Sequence, residues 1–379
     1  MPMRVSSITG QVRAFAQEDI PQVADLHRRV FRVADHTSEE LLDSYRTYFT
    51  QVLLDHPWRD YGAESLVHEE AGGRITGFLA VAARRMCFNG QDIQARIGSQ
   101  LVVDPDSRGM AGLKLMSAFL AGPQDLSIAD EANAVGLQMW EGFGGVTSFL
   151  YSLQWMYPLR PGEFARSVMT EKKVLPPFSP RHQRPILSRL FVPLAWTLDA
   201  LVPPILKKLS VSPECRVVGE ELTCDSLLAC LAECGERSLR PVYDQRSIVW
   251  ILQRADQLRR NGSLQKILVK TERQEVAGWY LYYLKTKGIS EVVQLYANPG
   301  FAHAVLGHLF GHAESHGAIV LGGRLEPSLT RALSERHCLF HGGPYWALFH
   351  SRRPELLHAL HRGDAFFSRL EGEWCLHFK

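Results

Sequence analysis

The chain has 379 residues, 46% of them hydrophobic and 22% charged, with 42 basic against 40 acidic side chains for a net charge of +2. That balance excludes disordered, fibrous and disulfide-scaffold proteins, and it supplies no broad positive field for holding a nucleic acid backbone. The length predicts two domains with a core each, and seven scattered cysteines without a CxxC pair point to a reducing cytoplasm.

The first twenty residues hold no apolar run of secretory length and no lipidation box, so export is not expected. Val12 to Phe15 reads as a strand, and Ile20, Val23, Leu26, Val30 and Phe31 then recur at helical spacing. Ser65 to Glu70 and Ile75 to Ala83 are two apolar runs around Ala71-Gly72-Gly73-Arg74, the composition of a hairpin. A strand over Ala95 to Val103, a helix to about Leu120 and a short strand over Leu126 to Ala129 give β-α-β order. A helix over Asn133 to Phe143 follows, and Thr147 to Tyr157 has the aromatic and branched residues of closing strands. One mixed α/β domain therefore spans 1–160.

Prolines accumulate between Pro158 and Leu206, which suits a connector over 161–215. Within it, Ile186 to Leu206 is apolar but interrupted by Arg189, Asp199 and three prolines, so a spanning helix is disfavoured. A helix packed between domains is favoured there over membrane-surface contact through 186–206. From Ile267 the strand and helix order of residues 65–157 recurs, ending on a strand at Trp346 to His350. This predicts a second copy of the same fold over 216–379.

The segment Val102-Val103-Asp104-Pro105-Asp106-Ser107-Arg108-Gly109-Met110-Ala111-Gly112-Leu113 turns a strand into a helix. The first amides of such a helix lack partners and favour an anion. Gly109, Ala111 and Gly112 would let a pyrophosphate approach the backbone, and Arg108 would add a charged contact.

This layout and segment resemble the GNAT superfamily of acyl-CoA-dependent N-acyltransferases over most of residues 11–160. The resemblance implies that Arg108, Gly109, Met110, Ala111, Gly112 and Leu113 bind the coenzyme A pyrophosphate, with the loop's last glycine displaced onto Gly112. It also implies that the amides of Gln100, Leu101, Val102 and Val103 hold the thioester carbonyl. A second family motif falls in register on Asn133 and Trp140, with an indole where relatives carry a tyrosine that protonates the thiolate. The second copy reads Tyr296-Ala297-Asn298-Pro299-Gly300 where a phosphate loop would stand, and so resembles a degenerate domain of tandem acyltransferases.

The fold class expected is α/β with mixed sheets, in two tandem GNAT-like domains. The function expected is acyl transfer, from acetyl-CoA, to a small-molecule amine such as an amino sugar, amino acid or polyamine. Candidate bases are Glu70, Asp130 and Glu131, and candidate acids Tyr151 and Tyr157. The alternatives are an aminoacyl-tRNA-dependent transferase of the kind that builds peptidoglycan bridges, and a non-catalytic binding protein of the same fold. His308, His312 and His316 step by four along one helix, but no HExxH pattern accompanies them, so a solvated face is expected rather than a metal site. Cys230 and Cys234 are expected to be buried thiols. One side of the run Trp279 to Tyr283 is expected in the core, while the other is open to an acceptor pocket. The sequence leaves the oligomeric state undetermined.

Overall fold

The computed structural model describes residues 10–32, 38–59, 62–107, 110–170, 216–233 and 237–378. The first half runs β1 (Gln11–Ala14), α1 (Ile20–Phe31), α2 (Glu39–Phe49), β2 (Leu66–Glu69), β3 (Ile75–Phe88), β4 (Gln91–Val103), α3 (Met110–Leu120), β5 (Leu126–Ala132), α4 (Ala134–Gly142), β6 (Val146–Thr147), α5 (Phe149–Ser152), β7 (Leu153–Pro158) and α6 (Pro161–Thr170). The second runs β8 (Val217–Glu221), α7 (Cys224–Glu233), β9 (Leu239–Pro241), α8 (Gln245–Gln257), β10 (Ser263–Thr271), β11 (Val276–Leu284), β12 (Ile289–Ala297), α9 (Ala302–Ser315), β13 (Val320–Arg324), α10 (Thr330–Glu335), β14 (Leu339–Gly342), β15 (Trp346–His350) and α11 (Pro354–His361). Most of the connector, including 186–206, lies outside the described residues. Among those described, no helix is long and apolar enough to cross a membrane.

Two mixed sheets form, in the orders β1-β2-β3-β4-β5-β15-β6, with β9 added on β3, and β14-β7-β13-β12-β11-β10-β8. The fold class expected from sequence is the one observed, with one correction. Leu153–Pro158 does not close the first sheet; it pairs with β13 and β14 in the second. Trp346–His350 does not close the second sheet; it pairs with β5 and β6 in the first. Each half thus donates its closing strand to the other. Either apolar segment satisfies the same kind of open edge, so composition and local period do not choose between them.

The exchange ties the halves into one core. It runs from Phe78 and Ile97 in the first sheet to Leu281 and Tyr283 in the second, and takes in Trp374 and Phe378 near the end of the chain. A second core on the far face of β11 holds Tyr280, Tyr282, Leu306 and Phe310. Both sides of the Trp279 to Tyr283 run are therefore packed, and neither opens on an acceptor pocket. His308 and His312 hydrogen-bond Tyr280 and Tyr282 through Nδ1 at 2.8 and 2.7 Å, so two of the three helix histidines tie α9 to the sheet. Cys230 is buried, and Cys234 lies outside the described residues.

Candidate active site

β4 and β5 run parallel and pair only over 95–97 and 126–128. Beyond that point β4 continues to Val103 on β3, and β5 continues to Ala132 on β15, while the two strands part from each other. Two irregularities mark the parting. Leu79 opposes both Gln100 and Leu101, with Gln100 at φ +50°, and the β5–β15 register shifts between Trp346 and Leu348. A bulge of this kind bends its strand and re-aims a side chain.

The neighbouring residues Gly77 and Phe78 point to opposite faces of β3, as strand geometry requires. A Cβ on Gly77 would meet Leu115 and Ala111 of α3, whereas Phe78 meets Phe49 of α2 at 5.7 Å between ring centroids. Phe119 of α3 lies 6.0 Å from Trp140 of α4, so those two helices share a face. A cavity of about 510 Å³ occupies the split between the strands. Met116, Val135, Met139 and Trp140 line it from the α3–α4 face. His27, Phe31 and Arg32 line it from α1, joined by Glu373, His377 and Phe378 from the C-terminal segment. The sheet is therefore perforated, with helices on either side of the opening.

Gln100 fixes one wall. Its Oε1 accepts from His27 Nε2 at 2.9 Å, and its amide nitrogen donates to the Tyr48 hydroxyl and the Leu376 carbonyl. The Tyr45 hydroxyl donates to His27 Nδ1 at 2.9 Å. That arrangement requires a neutral imidazole, and burial, reinforced by Arg32 and His377, lowers the His27 pKa to about 4. Phe378 stacks on Tyr45 at 4.1 Å between ring centroids, and the Arg32 guanidinium lies over the Phe378 ring, 4.4 Å from its centre.

Of the residues expected to hold coenzyme A, Gln100, Leu101, Asn133 and Trp140 line the cavity. Asn133 also caps α4, its Oδ1 accepting from the Gly136 amide at 2.9 Å. Trp140 is 1% exposed, and its indole nitrogen has no partner among the described residues. Val102 turns into the core and Val103 lies under α3, so neither faces the cavity. Met110 and Leu113 are exposed on the first turn of α3, while Ala111 and Gly112 are buried against the sheet. A Cβ on Gly112 would come within 3.3 Å of Val103 and 3.6 Å of Met139. The small residues there seat the helix on its strand, a role the sequence reading had given to ligand access. Arg108 and Gly109 lie outside the described residues.

The expected acids and bases need more correction. Glu70 sits in the β2–β3 turn, where its amide donates to the Arg74 carbonyl, away from the cavity. Asp130 is buried behind the wall, paired with Arg324 at 2.7 Å. Glu131 does line the cavity, but it pairs with Arg369 at 2.6 Å and His377 at 3.2 Å. Burial would raise its pKa, yet Arg369 and His377 outweigh that and hold it below the usual range. The Tyr151 hydroxyl donates to the Ala365 carbonyl at 2.6 Å inside the core, where burial raises its pKa. Tyr157 went to the second sheet with β7 and stacks on Phe310 at 4.7 Å. Neither tyrosine reaches the opening.

The strand exchange brings other residues in. Tyr345, just before β15, places a phenol in the cavity wall, and Glu373, His377 and Phe378 arrive from a segment with no recognisable motif. The one signal for the latter was the apolar run Trp374-Cys375-Leu376 so near the end of the chain.

The overall fold is shared with solved structures. The chain is similar to a probable N-acyltransferase from Enterococcus faecalis, with 12% identity and a TM-score of 0.56 over 90% of this chain and 72% of that one. The fold is that of the GCN5-related N-acetyltransferases. A GNAT protein from Anabaena variabilis matches at 12% identity and a TM-score of 0.56, covering 91% of this chain and 73% of its own. Eis1 from Mycobacterium abscessus matches at 11% identity and a TM-score of 0.51, covering 93% and 76%. These matches take in both sheets. No protein-family model and no curated protein sequence matches the chain.

Proposed function

We propose that the protein transfers an acyl group from a coenzyme A thioester to the amine of a small molecule. The observation that carries this reading is the perforated sheet. A thioester entering from the α3–α4 face would meet an acceptor entering from the α1 face at the split between β4 and β5. The α3–α4 wall is apolar, which suits the pantetheine arm, and the start of α3, like any helix N-terminus, would offer backbone donors to phosphate. Arg108, by its resemblance to the family loop, would add the charge. The backbone of Gln100 and Leu101 would hold the thioester carbonyl, polarising it for attack. Acetyl-CoA is the simplest donor of this class.

The GNAT fold of the similar structures supports the reading. Calorimetric titration with acetyl-CoA tests it, together with thiol release in the presence of glucosamine, lysine and spermidine. Micromolar binding, weakened at least about tenfold by Arg108→Glu, is the expected result, that being roughly 1.4 kcal/mol for one lost charged contact. No heat of binding at millimolar acetyl-CoA would move the weight to a protein that keeps the fold without the transferase chemistry.

A further inference from the structure

Two carboxylates face the cavity, in different surroundings. Glu131 is held by Arg369 and His377. Glu373, 6% exposed on the short 3-10 helix Glu373–Leu376, instead reaches between the parted strands. Its Oε1 accepts from the amides of Asp130 at 2.8 Å and Glu131 at 3.0 Å, on the stretch of β5 that has left β4. Its own amide donates to Asp130 Oδ1 at 2.6 Å. The carboxylate is thus oriented by backbone donors rather than by a cation, at the place where the two faces of the sheet communicate.

The segment that carries it is fixed from several sides. Glu371 accepts from the Tyr243 hydroxyl at 2.8 Å and from the Ser368 amide at 2.7 Å. Arg254 of α8 donates to the carbonyls of Cys375 at 3.1 Å and His377 at 2.7 Å, and Arg84 donates to Cys375 Sγ at 2.9 Å. The charged groups near Glu373 are Asp130 and Glu131 on β5 and the arginines 324 and 369 engaged with those two, and the titratable groups on its own segment are the Cys375 thiol, whose pKa burial raises, and the His377 imidazole, whose pKa burial lowers.

Resting on the acyl-transfer reading, we propose that Glu373 is the proton acceptor for the attacking amine. The incoming ammonium gives one proton to the Glu373 carboxylate, and the freed nitrogen lone pair forms a C–N bond to the thioester carbonyl carbon. The C–S bond breaks with its electron pair passing to sulfur, and the remaining surplus proton on nitrogen ends on that thiolate. Glu373 then returns its proton to water. Burial, with Asp130 and Glu131 close by, raises the pKa of this carboxyl above the ordinary glutamate range, which moves it toward the value an effective base needs at neutral pH.

Glu373→Gln keeps an oxygen for both backbone amides and removes only the proton acceptor. With acetyl-CoA and glucosamine, lysine or spermidine, it is expected to lower kcat roughly 100-fold or more and to abolish the acidic limb of the pH profile, with acetyl-CoA affinity within about threefold of wild type. Glu373→Asp should turn over slowly and keep the limb. Infrared difference spectra between about pH 6 and about pH 9 should show protonated carboxyl absorption that titrates in the wild type, Glu326 contributing because burial raises its pKa to about 7, and one component of it should be lost in Glu373→Gln and kept in Glu326→Gln, whichever amine is the acceptor. A Glu373→Gln protein with wild-type rate and limb, or infrared difference spectra that the substitution leaves unchanged, overturns the assignment of Glu373 alone. A wild-type protein that neither binds acetyl-CoA nor releases thiol overturns the acyl-transfer reading and this proposal together.

Discussion

At the scale of single residues, the cavity is built from side chains whose protonation is set by burial. His27 is held neutral between the Tyr45 hydroxyl and Gln100, and burial lowers its pKa from 6.5 to about 4. The unfolded chain therefore takes up a proton at this site before the folded chain does. The stability His27 contributes is complete above pH 6.5 and is lost as the pH falls from there toward 4. His56, buried with a pKa also lowered to about 4, acts in the same window. The thermal midpoint is expected to drop between about pH 7 and about pH 5, and His27→Gln should flatten part of that drop. Thermal melts across the range check this; an unchanged slope in the variant would mean that His27 is not buried neutral.

At the scale of elements, the unit β4–α3–β5–α4 was legible in the sequence because its signals are local. An apolar run, a proline break, small residues and a helical period lie within the stretch Gln91 to Gly142. What local pattern does not carry is the partner of an edge strand. Tyr151 and Tyr157, the expected acids, both fall in the run Thr147 to Tyr157 that was expected to supply closing strands of the first half. The exchange of β7 for β15 carried Tyr157 into the other sheet and brought Tyr345 to the opening instead. Ala111 and Gly112 were recognised as small for a reason, but their buried faces meet the sheet rather than a ligand. Gly112→Leu should accordingly push α3 from Val103 and Met139, costing about 1–3 kcal/mol of stability. Denaturant titration measures this; a loss of acetyl-CoA affinity with stability unchanged would return Gly112 to the ligand.

At the scale of the whole molecule, the site belongs to neither half alone. The first sheet supplies β4 and β5, but β15, Tyr345 and the Glu373–Phe378 segment come from beyond residue 340. Arg369 joins Glu131 of the first sheet to Glu291 of the second, and the shared core spans both. An opening lined from both halves can be shaped by either, which gives the exchanged strand a functional consequence. The most direct test is amide hydrogen exchange with and without acetyl-CoA. Binding in the split predicts simultaneous protection of residues 98–101 on β4 and of residues 373–378. Protection confined to some other surface, with both of these segments unchanged, would contradict the account.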